Sequence, residues 1–171
     1  MPASSPLGKS IIKDWFSKQN KIKSIVDVGA GEGTYRKLLG GDYRWTAYEV
    51  WEPYIHRFDL RLAYDEVVNA DIRDISPNPA DCIIFGDILE HMPKADVKKV
   101  LKMAFDRFPH VVISIPVGVY EQDEIEGNPF EKHQSTWDML EIEMLAKWRI
   151  KKLVPYCDTC PKDMGIGIFI K

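Results

Sequence analysis

The stretch Ile25-Val26-Asp27-Val28-Gly29-Ala30-Gly31-Glu32-Gly33-Thr34 decides the fold. An apolar run stops at three closely spaced glycines, and a helix-compatible segment follows. The pattern predicts a strand over 21–28 and a helix from 33–34 to about 39, closed by Gly40-Gly41. Glycine permits a tight turn and lets a ligand approach the backbone, and a helix start offers free amides. A triphosphate loop would need Gly-Lys followed by Ser or Thr, which is absent here. A dinucleotide loop would place its third glycine one residue later, where Thr34 stands.

Outward from this turn, strands and helices alternate. Upstream, Ile11, Ile12, Trp15 and Phe16 share one face of a helix over about 7–19, with Lys9, Lys13, Asp14 and Lys18 off it. The residues before it, 1–6, read as a loosely held tip. Downstream, 44–50 is a strand. Pro53 opens a helix that turns Tyr54, Ile55, Phe58 and Leu62 inward. A short strand, 66–70, ends at Asp71. Cys82-Ile83-Ile84-Phe85 and Val111-Val112-Ile113-Ser114-Ile115 are continuous apolar runs, as in strands covered on both faces. Between them an amphipathic helix follows Pro93, with Val97, Leu101, Ala104, Phe105 and Phe108 as its stripe. The segment 117–134 is longer and more polar than an ordinary connection, which marks it as a candidate lid loop. Ser135, with Asp138 three residues on, predicts a capped helix carrying Leu140, Met144, Leu145 and Trp148 on one face. Residues 149–155 and 165–170 pair as an antiparallel hairpin. The whole, 1–171, reads as one domain: an α/β, doubly wound Rossmann-like sheet, mostly parallel, with an antiparallel C-terminal strand.

Composition agrees with that size. The chain has 171 residues, 45% hydrophobic and 29% charged, enough for a real core and too apolar for disorder. The net charge of −3 disfavours nucleic acid as a partner. Lys94, Lys98, Lys99 and Lys102 read as the solvated side of a helix. No run reaches the roughly 20 apolar residues of a membrane span, and no signal peptide opens the chain. A cytoplasmic protein is expected. The odd count of 3 cysteines argues against a disulfide framework. Cys157-Asp158-Thr159-Cys160 has half the spacing of a zinc site, and no second half is visible, so no metal is assigned.

Four segments together resemble the class I S-adenosylmethionine-dependent methyltransferases of the small-molecule type. The first is Asp27-x-Gly29-Ala30-Gly31-x-Gly33. An acid here would repel a pyrophosphate and suits a ligand carrying an amino group and a sulfonium. The second is Glu49, followed by Val50, at the end of the next strand, where the resemblance implies that the carboxylate accepts both ribose hydroxyls. Glu52 is its rival. The third is Asp71-Ile72, implied to receive the adenine amino group and pack on its ring; a simple turn cap at Asp71 is the alternative. The fourth is Gly86-Asp87-Ile88-Leu89-Glu90-His91, whose acid and Glu-His recur in many small-molecule methyltransferases. All four fall at strand ends, where ligands of doubly wound sheets sit. The resemblance covers 22–116 and implies S-adenosylmethionine as cofactor and methyl transfer to an O or N atom of a small molecule, or of an exposed group on something larger.

For the chemistry, His91 is the first candidate general base, with capping or cofactor packing as its alternative. His133 is the second, at the end of the long loop. Glu90 and Asp87 are placed to orient the acceptor or bind a cation instead. Tyr35 is placed at the methionine end. A non-catalytic nucleoside-binding accessory protein and a nicotinamide-dependent oxidoreductase remain as other readings. The oligomeric state and the acceptor are open.

Overall fold

The computed structural model describes residues 4–171, so the expected tip falls partly outside the described residues. The elements are α1 (Lys9–Phe16), β1 (Ser24–Val28), α2 (Thr34–Leu39), β2 (Arg44–Glu49), α3 (Glu52–Arg57), α4 (Leu60–Ala63), β3 (Glu66–Asn69), β4 (Cys82–Gly86), α5 (Lys94–Arg107), β5 (His110–Val117), α6 (Met139–Glu143), β6 (Ile150–Pro155) and β7 (Gly165–Ile170). Short 3₁₀ turns occupy Leu89–His91 and Pro129–Glu131. They build one seven-stranded sheet in the order β3-β2-β1-β4-β5-β7-β6. β1 to β5 pair in parallel, and β7 runs antiparallel between β5 and β6. The expected α/β architecture with one reversed strand near the C-terminus is what forms.

Alternate residues of the strands feed two apolar layers, because successive side chains point to opposite faces. On one face Val26, Ile83, Phe85, Val111 and Ile113 meet Val97, Leu101 and Ala104 of α5, with Ile142 of α6. On the other, Ile25, Trp45, Ala47, Ile84 and Val112 meet Ile12, Trp15 and Phe16 of α1 and Leu60. Trp45, Phe85 and Phe169 are wholly enclosed, and burial of such a side chain stabilises by roughly 1.5–3 kcal/mol. The chain runs outward from β1 to β3, then crosses back to β4 on the other side of β1. The order reverses there, which opens a crevice beyond the C-terminal ends of β1 and β4.

Four local expectations change. Lys9 lies on the buried face of α1, not off it, because positions 9, 12 and 16 share that face. The helix after Pro53 breaks at Asp59, whose φ is 49°, and restarts as α4, so Leu62 faces solvent while Leu60 is enclosed. The last helix is capped by Asp138, with Glu141 completing a capping box, rather than by Ser135. That shift leaves Leu140 and Met144 exposed and turns Ile142 inward. Cys157 and Cys160 are joined to each other, and Cys82 is free and buried.

Candidate functional site

A cavity of about 450 Å³ opens at the crevice, within the ordinary range for a small-molecule site. One end is walled by Gly29, Ala30, Gly31, Glu49, Val50, Asp71 and Ile72; the other by Glu90, His91 and His133; Tyr35, Gly86 and Asp87 lie between.

The first wall follows from the glycine turn. Gly31 holds φ at 51°, a left-handed conformation that favours glycine, and a Cβ there would meet almost nothing. Its amide donates to Glu49 Oε2 at 2.9 Å, and the Trp51 amide donates to Oε1 at 2.9 Å. Two backbone donors thus aim a buried carboxylate at the end of β2. Burial pushes the Glu49 carboxyl up, and those two amides oppose it. Each oxygen keeps lone-pair capacity for a further donor. Glu52, the rival, lies in α3 and does not line the cavity. Asp71 accepts from the Arg73 backbone and guanidinium. Burial raises its carboxyl, but those bonds and the Arg73 charge outweigh it and hold it below the usual range. Ile72 is buried beside it.

Asp27 is placed differently. It sits behind the glycine turn, 2% exposed, and accepts a 2.6 Å bond from the Tyr64 hydroxyl. It does not line the cavity, and neither does Gly33. Burial pushes the Asp27 carboxyl up to about 7, against the pull of Tyr64 and Lys9.

The middle of the cavity rests on a network that sequence reasoning missed. Lys9 Nζ donates to Tyr35 Oη at 2.6 Å and lies 3.2 Å from Asp87 Oδ2. Asp87 also accepts from the Ser5 amide at 3.0 Å, the Ser4 hydroxyl, and Ser114 Oγ at 2.7 Å. Three of these donors meet its Oδ2 and one its Oδ1. Tyr35 crosses the end of β4 so closely that a Cβ on Gly86 would stand 1.9 Å from its ring. The available signal was the 9-12-16 spacing, which puts a lysine in line with two core residues of α1.

The far wall joins two distant stretches. Gln134 and Ser135 donate their amides to the Glu90 carbonyl at 2.8 and 3.0 Å, and Gln134 Nε2 donates to the His91 carbonyl at 2.8 Å. These bonds bring the His91 and His133 rings to 4.8 Å between centroids. His133 Nδ1 is 2.7 Å from the Tyr120 carbonyl, so that nitrogen carries the proton and Nε2 keeps its lone pair. Burial, then the neighbouring His133, lowers His91 to about 4. Glu90 is 3% exposed, its Oε2 has no partner among the described residues, and burial followed by the Asp87 charge raises its carboxyl. The loop 118–134 also contributes Tyr120, Gln122, Asn128, Phe130 and Glu131 to the walls, and Tyr54 and Tyr156 join from outside it.

Neither a family model nor a curated protein matches the sequence. Solved structures do. The N-terminal domain of EvdMO1, crystallised with SAH bound, is 13% identical, with a TM-score of 0.70 over 98% of this chain and 81% of that one. TehB from Haemophilus influenzae is 14% identical, with a TM-score of 0.68 over 93% of this chain and 60% of that one. The 1,6-didemethyltoxoflavin-N1-methyltransferase of Burkholderia thailandensis, solved with 1,6-didemethyltoxoflavin and S-adenosylhomocysteine, is 16% identical, with a TM-score of 0.62 over 95% of this chain and 74% of that one. At such identities the likeness establishes the fold: this chain has the Rossmann-like fold of the class I methyltransferases. Among the described residues no helix is long and apolar enough to cross a membrane.

Proposed function

We propose that this chain is an S-adenosylmethionine-dependent methyltransferase acting on an O or N atom of a small molecule. One observation carries the reading: a single cavity runs from a buried, amide-held carboxylate at the end of β2 to a Glu-His-His cluster past the end of β4. Solved structures of this fold hold SAH, which supports the choice of nucleoside. S-adenosylmethionine supplies an electrophilic methyl carbon: the acceptor's lone pair forms the new bond as the C–S bond breaks, that electron pair stays on sulfur as the thioether of S-adenosylhomocysteine, and the acceptor's proton passes to a base.

The chain's own residues position and screen. Glu49 takes the ribose hydroxyls, Val50 and Ile72 flank the base, and Asp71 stands near its edge. Asp27 supports the glycine turn from behind, where Gly29, Ala30 and Gly31 let the backbone approach the ligand and Gly33 leads into α2. Tyr35, Gly86 and Asp87 form the floor under the methionine part, fixed by Lys9. At the far end the His91 and His133 imidazoles stand beside the acceptor's place, with Glu90 able to orient it. The loop 118–134 covers this end, and its aromatic and amide side chains suit an acceptor of modest size.

Titration calorimetry with S-adenosylmethionine, S-adenosylhomocysteine and NAD decides the matter. Micromolar binding of the first two without NAD binding is the expected result. Silence for both, or a preference for NAD, overturns the reading.

A further inference from the structure

Although the sequence offers no complete metal motif, three side chains at the far wall converge. One potential ligand atom from each of Glu90, His91 and His133 lies within 4.8 Å of the others. Ligand atoms around a tetrahedral ion at about 2.1 Å stand about 3.4 Å apart, so an ion would draw these three together by up to roughly 1.4 Å. Three further features distinguish the cluster from an accidental meeting of polar groups.

Glu90 Oε2 is a buried carboxylate oxygen with no hydrogen-bond partner among the described residues. Leaving such an oxygen unpaired costs free energy, and a cation at this place would relieve that cost. The imidazoles are oriented from behind. His133 Nδ1 faces the Tyr120 carbonyl at 2.7 Å, and His91 Nδ1 faces the Lys132 carbonyl at 3.4 Å. A carbonyl behind one ring nitrogen fixes the tautomer and leaves the other nitrogen's lone pair free, as in metal-binding histidines. Finally, the two stretches are clamped by the bonds from Gln134 and Ser135 to the Glu90 and His91 carbonyls. Asp87 next door is not part of the cluster; Lys9, Ser4 and Ser5 engage its Oδ2 and Ser114 its Oδ1.

We propose that Glu90, His91 and His133 form a divalent-cation site of the two-histidine, one-carboxylate kind, and that its ion holds the methyl acceptor by an oxygen atom. Two imidazoles favour a first-row ion such as Zn²⁺, Fe²⁺ or Co²⁺ over Mg²⁺ or Ca²⁺. Three protein ligands leave at least one position open for the acceptor. A hydroxyl bound there loses its proton to solvent near neutral pH, because the ion stabilises the oxyanion. The oxyanion's lone pair is then the one that attacks the methyl carbon, and neither histidine has to act as the base. This acceptor role rests on the proposed methyl transfer; the cation site does not.

The test uses the full chain, stripped with EDTA and free of cofactor and acceptor. Zn²⁺ is titrated by calorimetry and Co²⁺ by visible absorption. One equivalent bound at micromolar or tighter affinity, with a Co²⁺ ligand-field band, is expected. His133→Ala, a half-buried position that can be truncated without opening the core, and Glu90→Gln should each weaken binding at least tenfold. The His91→Ala/His133→Ala double variant should abolish it, with unchanged circular dichroism. No stoichiometric binding, or binding that survives in the double variant, overturns the site. S-adenosylhomocysteine titrated into the same stripped protein separates the two ideas. Nucleoside binding without metal binding removes the cation alone, and metal binding without nucleoside binding removes the transfer reading alone.

Discussion

The two ends of the cavity are built on different plans. At the nucleoside end, Gly31 lies in the turn that follows β1 and Glu49 ends β2, two adjacent strands paired in register, and the two residues are 18 apart in sequence. At the far end, His91 and His133 come from separate stretches with a whole helix, a strand and most of a loop between them. The first end is rigid because the sheet makes it so. The second is rigid because a few hydrogen bonds from Gln134 and Ser135 tie a loop down. A loop tied by few bonds can change its side chains with little damage to the core, which is where acceptor specificity can diverge on a shared fold.

Three perturbations break or sharpen this contrast. The largest concerns Asp27, deep under the nucleoside end. Its carboxyl is raised to about 7 in the folded chain, chiefly by burial, against an ordinary value near 4 when unfolded. The folded state therefore binds the proton more tightly. The stabilisation is full below pH about 4 and is lost as pH rises through about 7. Asp27→Asn, which keeps an acceptor for Tyr64, should gain on the wild type as pH rises from 5 to 8, by up to about 3 kcal/mol. Urea melts of both proteins at the two pH values check this, and parallel pH curves would contradict it.

Next, Glu49→Ala removes the carboxylate proposed for the ribose. Loss of two hydrogen bonds to a charged acceptor should weaken S-adenosylhomocysteine about a hundredfold, or about 2.7 kcal/mol. Calorimetry would show it, and near-normal affinity in a folded variant would move the ribose elsewhere. The smallest effect is at the other end. Gln134→Ala cuts one clamp on the His91 carbonyl, should cost about 1 kcal/mol in a thermal melt, and should leave S-adenosylhomocysteine affinity within about twofold. Equal damage to nucleoside binding would mean that the two ends are not independent.

The same contrast explains what could be read in the sequence. The glycine turn, the two apolar strands β4 and β5 and the helix α5 are local patterns, and each forms where its own stretch of sequence places it. The meeting of His91 with His133 has no local signature. Both were legible as candidates for proton transfer, but their nearness to Glu90 depends on where the loop 118–134 returns. Lys9 was misread because charge was weighed above helical position; its Nζ is solvated by Tyr35 and Asp87 instead of water. The break at Asp59 was hidden because Tyr54, Phe58 and Leu62 keep helical spacing across it, and only a left-handed residue reveals the restart. The cap moved from Ser135 to Asp138 because Ser135 is already engaged, accepting from Trp137 Nε1 at 2.9 Å.

The order of the strands also sets a timetable. β7 fills the slot between β5 and β6, and β6 touches no other strand. Until residues 165–170 have left the ribosome, β5 keeps one flank open, and that flank belongs to a strand enclosed from Val111 to Val117 in the finished sheet. A nascent chain stalled before that point presents an apolar template to its neighbours. Synthesis of β7 is thus the step at which this protein stops being a hazard to other copies of itself.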